Sequence, residues 1–162
     1  MAESQLESLL AAISVDAPCG PDLEYDPDFQ AMLDAGAGKP ERQYGDKVYP
    51  AEPPDWSLIH EQAMQLATRT RDLRVAVWLA RSAARLHGLG GAVDGLRLVQ
   101  GLVERHWDHL HPPLDASDNN DPTMRMNALV PLVSADAALA DLRAAAFASD
   151  RGGLTLRALE LG

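Results

Sequence analysis

The chain has 162 residues, 46% hydrophobic and 5% aromatic, with 14 lysines and arginines against 24 aspartates and glutamates, a formal net charge of −10. That length fits one domain with a core of its own, and this apolar fraction argues against a disordered chain. Few aromatics beside plentiful Ala and Leu favour helix packed on helix over a β-sandwich, and the negative charge opposes nonspecific binding to nucleic acid or to an anionic membrane.

Ser4-Gln5-Leu6-Glu7 reads as a capping box, followed by Leu6, Leu9, Leu10 and Ile13 on one stripe of a short first helix. Residues 14–25, with Pro18, Gly20 and Pro21, are expected to be a loop. Asp26-Pro27 is a helix start, because Asp caps and Pro at the first turn lacks an N–H the helix would not use. Phe29, Met32 and Leu33 are expected to face inward, with Gly36 as the stop. Residues 37–54 read as a second long loop pinned on the surface by Tyr44, Val48 and Tyr49. Asp55 caps a third helix bearing Trp56, Ile59, Ala63 and Leu66.

The fourth helix starts near Thr70 or Asp72 and runs to His87, with Gly88 as its stop. Its apolar residues, including Leu73, Val75, Ala76, Val77, Leu79, Ala80, Ala83, Ala84 and Leu86, cover more than half the wheel, so it is expected at the centre of the fold. Gly90 and Gly91 read as a tight turn, and a fifth helix follows from about Ala92 to Leu110 with Leu96, Val99, Val103, Trp107 and Leu110 as its stripe. After a polar loop, Asp121-Pro122 repeats the helix-start signal. A sixth helix carries Met126 and Leu129 until Pro131 ends or kinks it, and Ser134 caps a seventh, Ala-rich helix to about Phe147. Thr155 reads as a further cap before Leu156. A helix of under two turns cannot stand alone, so the expectation is a single all-α domain, 1–162, of about seven helices with two or three long ordered loops, cut from a longer protein.

Cys19 is the only cysteine, so no internal disulfide can form, which fits a reducing compartment. Met1-Ala2-Glu3-Ser4 has no basic region of a secretory signal, and the densest apolar run, Val75 to Ala80, is far short of the about 20 residues that span a bilayer. A cytoplasmic location without membrane insertion is the reading.

Chemical motifs are weak. Gly88, Gly90, Gly91 and Gly95 match neither a dinucleotide nor a Walker spacing and lie between helices. His106, His109 and His111 could hold a metal, but no second ligand cluster joins them, and the plainer reading is histidines at a helix C-terminus. Asp115, Asp118 and Asp121 lack the spacing of a calcium loop. Cys19 stands among Asp16, Asp22 and Glu24, which disfavour a thiolate, and no serine-nucleophile motif is present. The chain therefore reads as no enzyme, with no metal and no cofactor.

One stripe stands out. Arg71, Arg74, Trp78, Arg81 and Arg85 are spaced three, four, three and four residues apart, on one face of the fourth helix, and gather four of the 14 basic residues. Such a face could dock an acidic partner through Arg and Trp anchors, or be covered and neutralised by the chain's own acidic loops at 16–28 and 115–121.

The longer motifs carry a resemblance. Ala17-Pro18-Cys19-Gly20 with Asp22-Leu23-Glu24-Tyr25-Asp26-Pro27 resembles the opening of the ImpA-related N-terminal domain that begins the TssA proteins of bacterial type VI secretion systems. The likeness continues through Gly38-Lys39-Pro40-Glu41, Gln43-Tyr44-Gly45-Asp46 and Glu52-Pro53-Pro54-Asp55-Trp56. It is strongest from Thr70 to Arg81, is clear at Trp107 to Pro112 and at Asn120 to Ala128, and returns from Arg151 to Glu160. The resemblance implies a non-catalytic, cytoplasmic assembly factor of a contractile, phage-tail-like machine. Its expected partners are baseplate, membrane-complex, tube or sheath proteins, and homo-oligomerisation is expected mainly through a C-terminal region that lies after Gly162. It names no contact residues, so the expected docking residues remain Arg71, Arg74, Trp78, Arg81 and Arg85. A passive spacer in an accessory sheath-associated protein, or a histidine-based metal binder, are the competing readings.

Overall fold

The most apolar stretch of the sequence becomes the element against which the rest packs. In the computed structural model, which describes residues 1–145 together with 155, 157, 158 and 161, helix α4 (Leu73–His106) touches α1 (Glu3–Leu10), α3 (Trp56–Ala67), α5 (Thr123–Leu129) and α6 (Ala138–Ala144). Helix α2 (Pro27–Ala37) lies against α3. Leu73, Val75, Ala76, Val77, Leu79, Ala80, Ala83 and Ala84 are all buried, each large one contributing about 1.5–3 kcal/mol by leaving water. Leu86 alone of the expected set is exposed.

α4 is two limbs, 73–87 and 89–106, joined at Gly88, whose φ of 66° and ψ of −154° break the helix in a way only glycine tolerates without strain. The expected stop at Gly88 is correct, but the expected Gly90-Gly91 turn is not, because helix resumes at once. Gly91 and Gly95 lie against the first limb, where an added Cβ would sit 2.2 Å from the Ala83 carbonyl oxygen and 2.3 Å from Ala80 Cα. The limbs thus run antiparallel along their smallest residues. This rotates the second limb relative to the expected stripe: Gly91, Ala92, Gly95, Leu98, Val99 and Leu102 are buried, while Leu96 and Trp107 are exposed. The limb also ends at His106 rather than Leu110.

The caps show which local signals hold. Asp26, Asp55 and Asp72 each accept a backbone N–H at the start of α2, α3 and α4, and Asp121 accepts from Thr123 at the start of α5. The Ser4/Glu7 capping box does not form: α1 begins at Glu3 with Ala2 as its cap, and Glu7 instead takes two 2.8 Å bonds from Arg105 on α4. α1 ends at Leu10, so Ile13 lies in the following loop. Gly36 is not the end of α2. The helix continues to Ala37, Gly38 ends it at φ 63°, and Gly36 is the point where Trp78 presses on the backbone. Ser134 does not cap the last helix, since its hydroxyl donates to Val130 O. α6 starts at Ala138 and buries Ala138 and Asp141 rather than Leu139. The expected end near Phe147 lies outside the described residues; Ala145 is already extended. Beyond it, Thr155 Oγ1 accepts the Ala158 N–H at 3.1 Å, in keeping with a cap.

The expectation of an all-α domain of about seven helices is corrected in two ways. Among the described residues there are six α-helices and one 3-10 turn at Val130–Leu132, which contains Pro131. The stretch read as loop 37–54 contains an antiparallel hairpin, β1 (Arg42–Tyr44) and β2 (Lys47–Tyr49). Its base is closed by two backbone bonds and a 2.7 Å ion pair between Lys39 and Glu52. Tyr44, Val48 and Tyr49 do not anchor it, since all are exposed.

Candidate functional site

Arg71, Arg74, Trp78, Arg81 and Arg85 have three different environments, set by how far each lies from the start of α4. Arg71 precedes the helix and is drawn inward, 5% exposed. Its Nε donates to Ala11 O at 2.8 Å and its remaining nitrogens to Ser8 O, Thr70 O and Ala67 O. It thereby serves the carbonyls left open at the ends of α1 and α3, where the negative pole of each helix favours a cation. Burial lowers its pKa from the ordinary arginine value, a loss opposed by the nearby Cys19.

Arg74 is the second residue of α4, at the mouth of the 14–25 loop. It bonds Asp72 and Asp22 at 2.7 Å, reaches Glu24 at 3.1 Å and stacks over Phe29 at 5.0 Å. Burial works against its charge, but hydrogen bonds and charge from Asp72 and Asp22 outweigh this and hold its pKa above the ordinary value.

Two turns on, Arg81 and Arg85 share one carboxylate. Each Nε meets an oxygen of Asp141 at 2.7 Å, and Asp141, on α6, is only 1% exposed. Arg81 is held between two indoles, 4.6 Å from Trp78 and 5.4 Å from Trp56, and Arg85 lies 5.1 Å from Trp56. This is a stacked cation–aromatic array tied to α6 by one buried acid. The covering acids come from the 14–25 loop, from Asp72 at the cap of α4 and from α6; the 115–121 loop supplies none of them.

Trp78 remains partly accessible and borders an open groove of about 400 Å³ between α2, α4 and α5. Phe29, Leu33, Met124 and Pro131 give it apolar walls, with Arg74 and Arg81 also in its lining. The groove can take one large apolar side chain, and its arginines are already oriented by the acids behind them. Met124 is 52% exposed, so this wall faces solvent.

Sequence reasoning missed Arg125. It is 1% exposed, its guanidinium serves Pro112 O at 2.8 Å, Leu110 O at 2.6 Å and Trp107 O, and it stacks 4.6 Å from the Trp107 ring. It does at the end of α4 what Arg71 does at the ends of α1 and α3. The one trace in the sequence was its place in a family motif. The hairpin was legible in principle, because Gly45-Asp46 between two short runs with tyrosines is a two-residue turn signal.

The three histidines diverge. His106 Nε2 meets Leu10 O at 2.7 Å, His111 Nε2 meets Gly20 O at 2.9 Å, and His109 is exposed. Among the described residues no group of three or more His, Cys, Asp or Glu side chains is placed to hold a metal. No described helix is long and apolar enough to cross a membrane.

A small-residue helical hairpin, arginine-capped helix ends and a loop folded over the start of α4 define a helical scaffold with an open surface groove. The family model for "ImpA, N-terminal, type VI secretion system" matches residues 10–134, and the chain belongs to that family. The type VI secretion system component TssA1 of Pseudomonas aeruginosa is 52% identical over 126 residues, which is 78% of this chain and 37% of the relative. The solved N-terminal domain of the TssA component from Burkholderia cenocepacia, which includes the conserved ImpA N-terminal region, superposes with a TM-score of 0.70 at 30% identity, covering 96% of this chain and 56% of that one. The chain thus spans little more than a third of the length of that curated relative. The family is a structural component of the secretion system and not a family of enzymes.

Proposed function

We propose that this chain is a non-catalytic adaptor module that docks on a baseplate or membrane-complex component of a type VI secretion system, as one step in coordinating tail-tube and sheath assembly in the cytoplasm. The observation that carries the reading is the groove beside Trp78. In a family of structural components, an open hollow of about 400 Å³ with a Trp and apolar walls fits an anchor side chain from a partner. Trp78 and the wall from Phe29 to Met124 take that anchor. Arg74 and Arg81 border it, Arg85 extends the same face, and Arg71 contributes from within by holding helix ends. Because Asp22, Glu24, Asp72 and Asp141 already neutralise the arginines, the groove selects an apolar anchor more than an acidic one.

Met124→Glu places a charge in this wall at a solvent-facing position. In pull-downs with purified baseplate, membrane-complex, tube and sheath subunits, the wild type retains one of them, and Met124→Glu loses it about tenfold or more without a change in melting temperature. Retention of none of these subunits overturns the reading and leaves a passive spacer.

A further inference from the structure

The β1–β2 hairpin carries a second surface, unrelated to the groove. Its register pairs Arg42 with Tyr49 and Tyr44 with Lys47, so by strand alternation these four side chains share one face while Gln43 and Val48 take the other. All six strand residues are exposed, with Tyr44 at 70% and Tyr49 at 46%. The tyrosine rings meet edge to face at 6.3 Å, and the Lys47 ammonium lies 5.2 Å from the Tyr49 ring. Pro40 and Pro50 join Arg42, Tyr44 and Tyr49 around a hollow of about 260 Å³, whose remaining wall is the Lys39–Glu52 ion pair, a neutral pair that leaves the hollow itself suited to an apolar group. None of this packs on the core: the ring contacts brace the hairpin itself, and the face they form stays open to solvent.

Among the described residues, neither Arg42 nor Lys47 has a carboxylate within ion-pair distance. Arg69, Arg74, Arg81, Arg85 and Arg105 all have one. We infer that this face binds an acidic, extended protein segment in which an apolar side chain or proline enters the hollow and flanking carboxylates meet Arg42 and Lys47. The arginine fork suits a carboxylate, and tyrosine and proline offer contact surface that loses little freedom on binding. A nucleic acid fits poorly. It carries a charge at every phosphate and cannot avoid the neighbouring Glu41, Asp46 and Glu52, whereas a protein segment can confine its carboxylates to Arg42 and Lys47 and place an uncharged residue between them.

The test is a random-peptide phage selection on the whole chain, repeated on Arg42→Glu/Lys47→Glu. That double variant should melt with the wild type because its side chains are exposed. Expected are peptides recovered by the wild type and lost by the variant, rich in Asp and Glu around an apolar residue. One such synthetic peptide should bind the variant, and Tyr44→Ala, at least about tenfold more weakly and weaken with salt. Failure of any peptide to distinguish the two proteins, or distinguishing peptides with no acidic excess, overturns the inference. So does a loss confined to an oligothymidylate or to phosphatidylglycerol vesicles. The selection contains no secretion subunit, so its failure leaves the groove reading standing, and failure of the pull-downs leaves this one.

Discussion

The arginines along α4 and the cations of the hairpin belong to the same acidic chain and have opposite fates. At the start and along the first limb of α4 each guanidinium of the stripe is used inside the molecule: Arg71 by carbonyls, Arg74 by three acids, Arg81 and Arg85 by Asp141. On the hairpin, Lys39 is tied to Glu52 at the base, while Arg42 and Lys47 stand beside tyrosines in solvent. A stripe in the sequence counts charges, but only proximity to carboxylates and helix ends decides which are available to a partner. Five residues at helical spacing looked like a docking face, yet, among the described residues, two cations with no ion pair lie in a segment that read as a loop pinned to the surface.

The sharpest way to break this contrast is Asp141→Asn, which frees Arg81 and Arg85. Leaving them beside a buried amide costs about 3 kcal/mol of stability, read as a lower urea midpoint. An unchanged midpoint would mean that the α4 cations are no more committed than those of the hairpin. A milder pair of substitutions applies one change to both regions. At Gly36 an added Cβ would lie 2.4 Å from Trp78 Cη2, so Gly36→Ala overpacks the α2–α4 contact at a cost of about 1–3 kcal/mol and perturbs Trp fluorescence. At Gly45 nothing lies within 4 Å, and only its φ of 61° opposes a side chain. Gly45→Ala therefore strains the turn by about 1–2 kcal/mol, a loss confined to the hairpin, while the global urea midpoint stays put. Equal global losses at both glycines would show that the hairpin is part of the cooperative core.

The core of α4 was legible because its apolar residues are too many for one face, and that holds in any environment. Asp26, Asp55, Asp72 and Asp121 were legible because an Asp cap needs only the next few backbone N–H groups. What failed depended on distant partners. Glu7 left its capping box for Arg105, the second limb of α4 turned its glycines rather than Leu96 toward the first, and α6 docks through Asp141 because two arginines wait for it. Within the site, Arg74, Trp78, Arg81 and Arg85 do share one face of α4, as their spacing required. Arg71 left that face because the open carbonyls of α1 and α3 outcompete solvent for its five donors, and no local pattern encodes that. Nor does any local pattern encode Arg125 inside the core.

One small feature near Arg71 reaches further. Cys19 is 2% exposed, and its thiol pKa is pushed up by burial, only partly opposed by Arg71 and Arg125. Its backbone carbonyl is the clasp of the 14–25 loop, accepting the Arg71 N–H at 2.8 Å and the Thr70 hydroxyl at 3.2 Å. The thiol is therefore sealed for as long as that clasp is closed, and alkylation must wait for the loop to lift from the start of α4. As the chain's single cysteine, it is a ready-made stopwatch: its labelling half-life times the undocking of the loop that also carries Asp22 and Glu24, the acids that hold Arg74 at the groove.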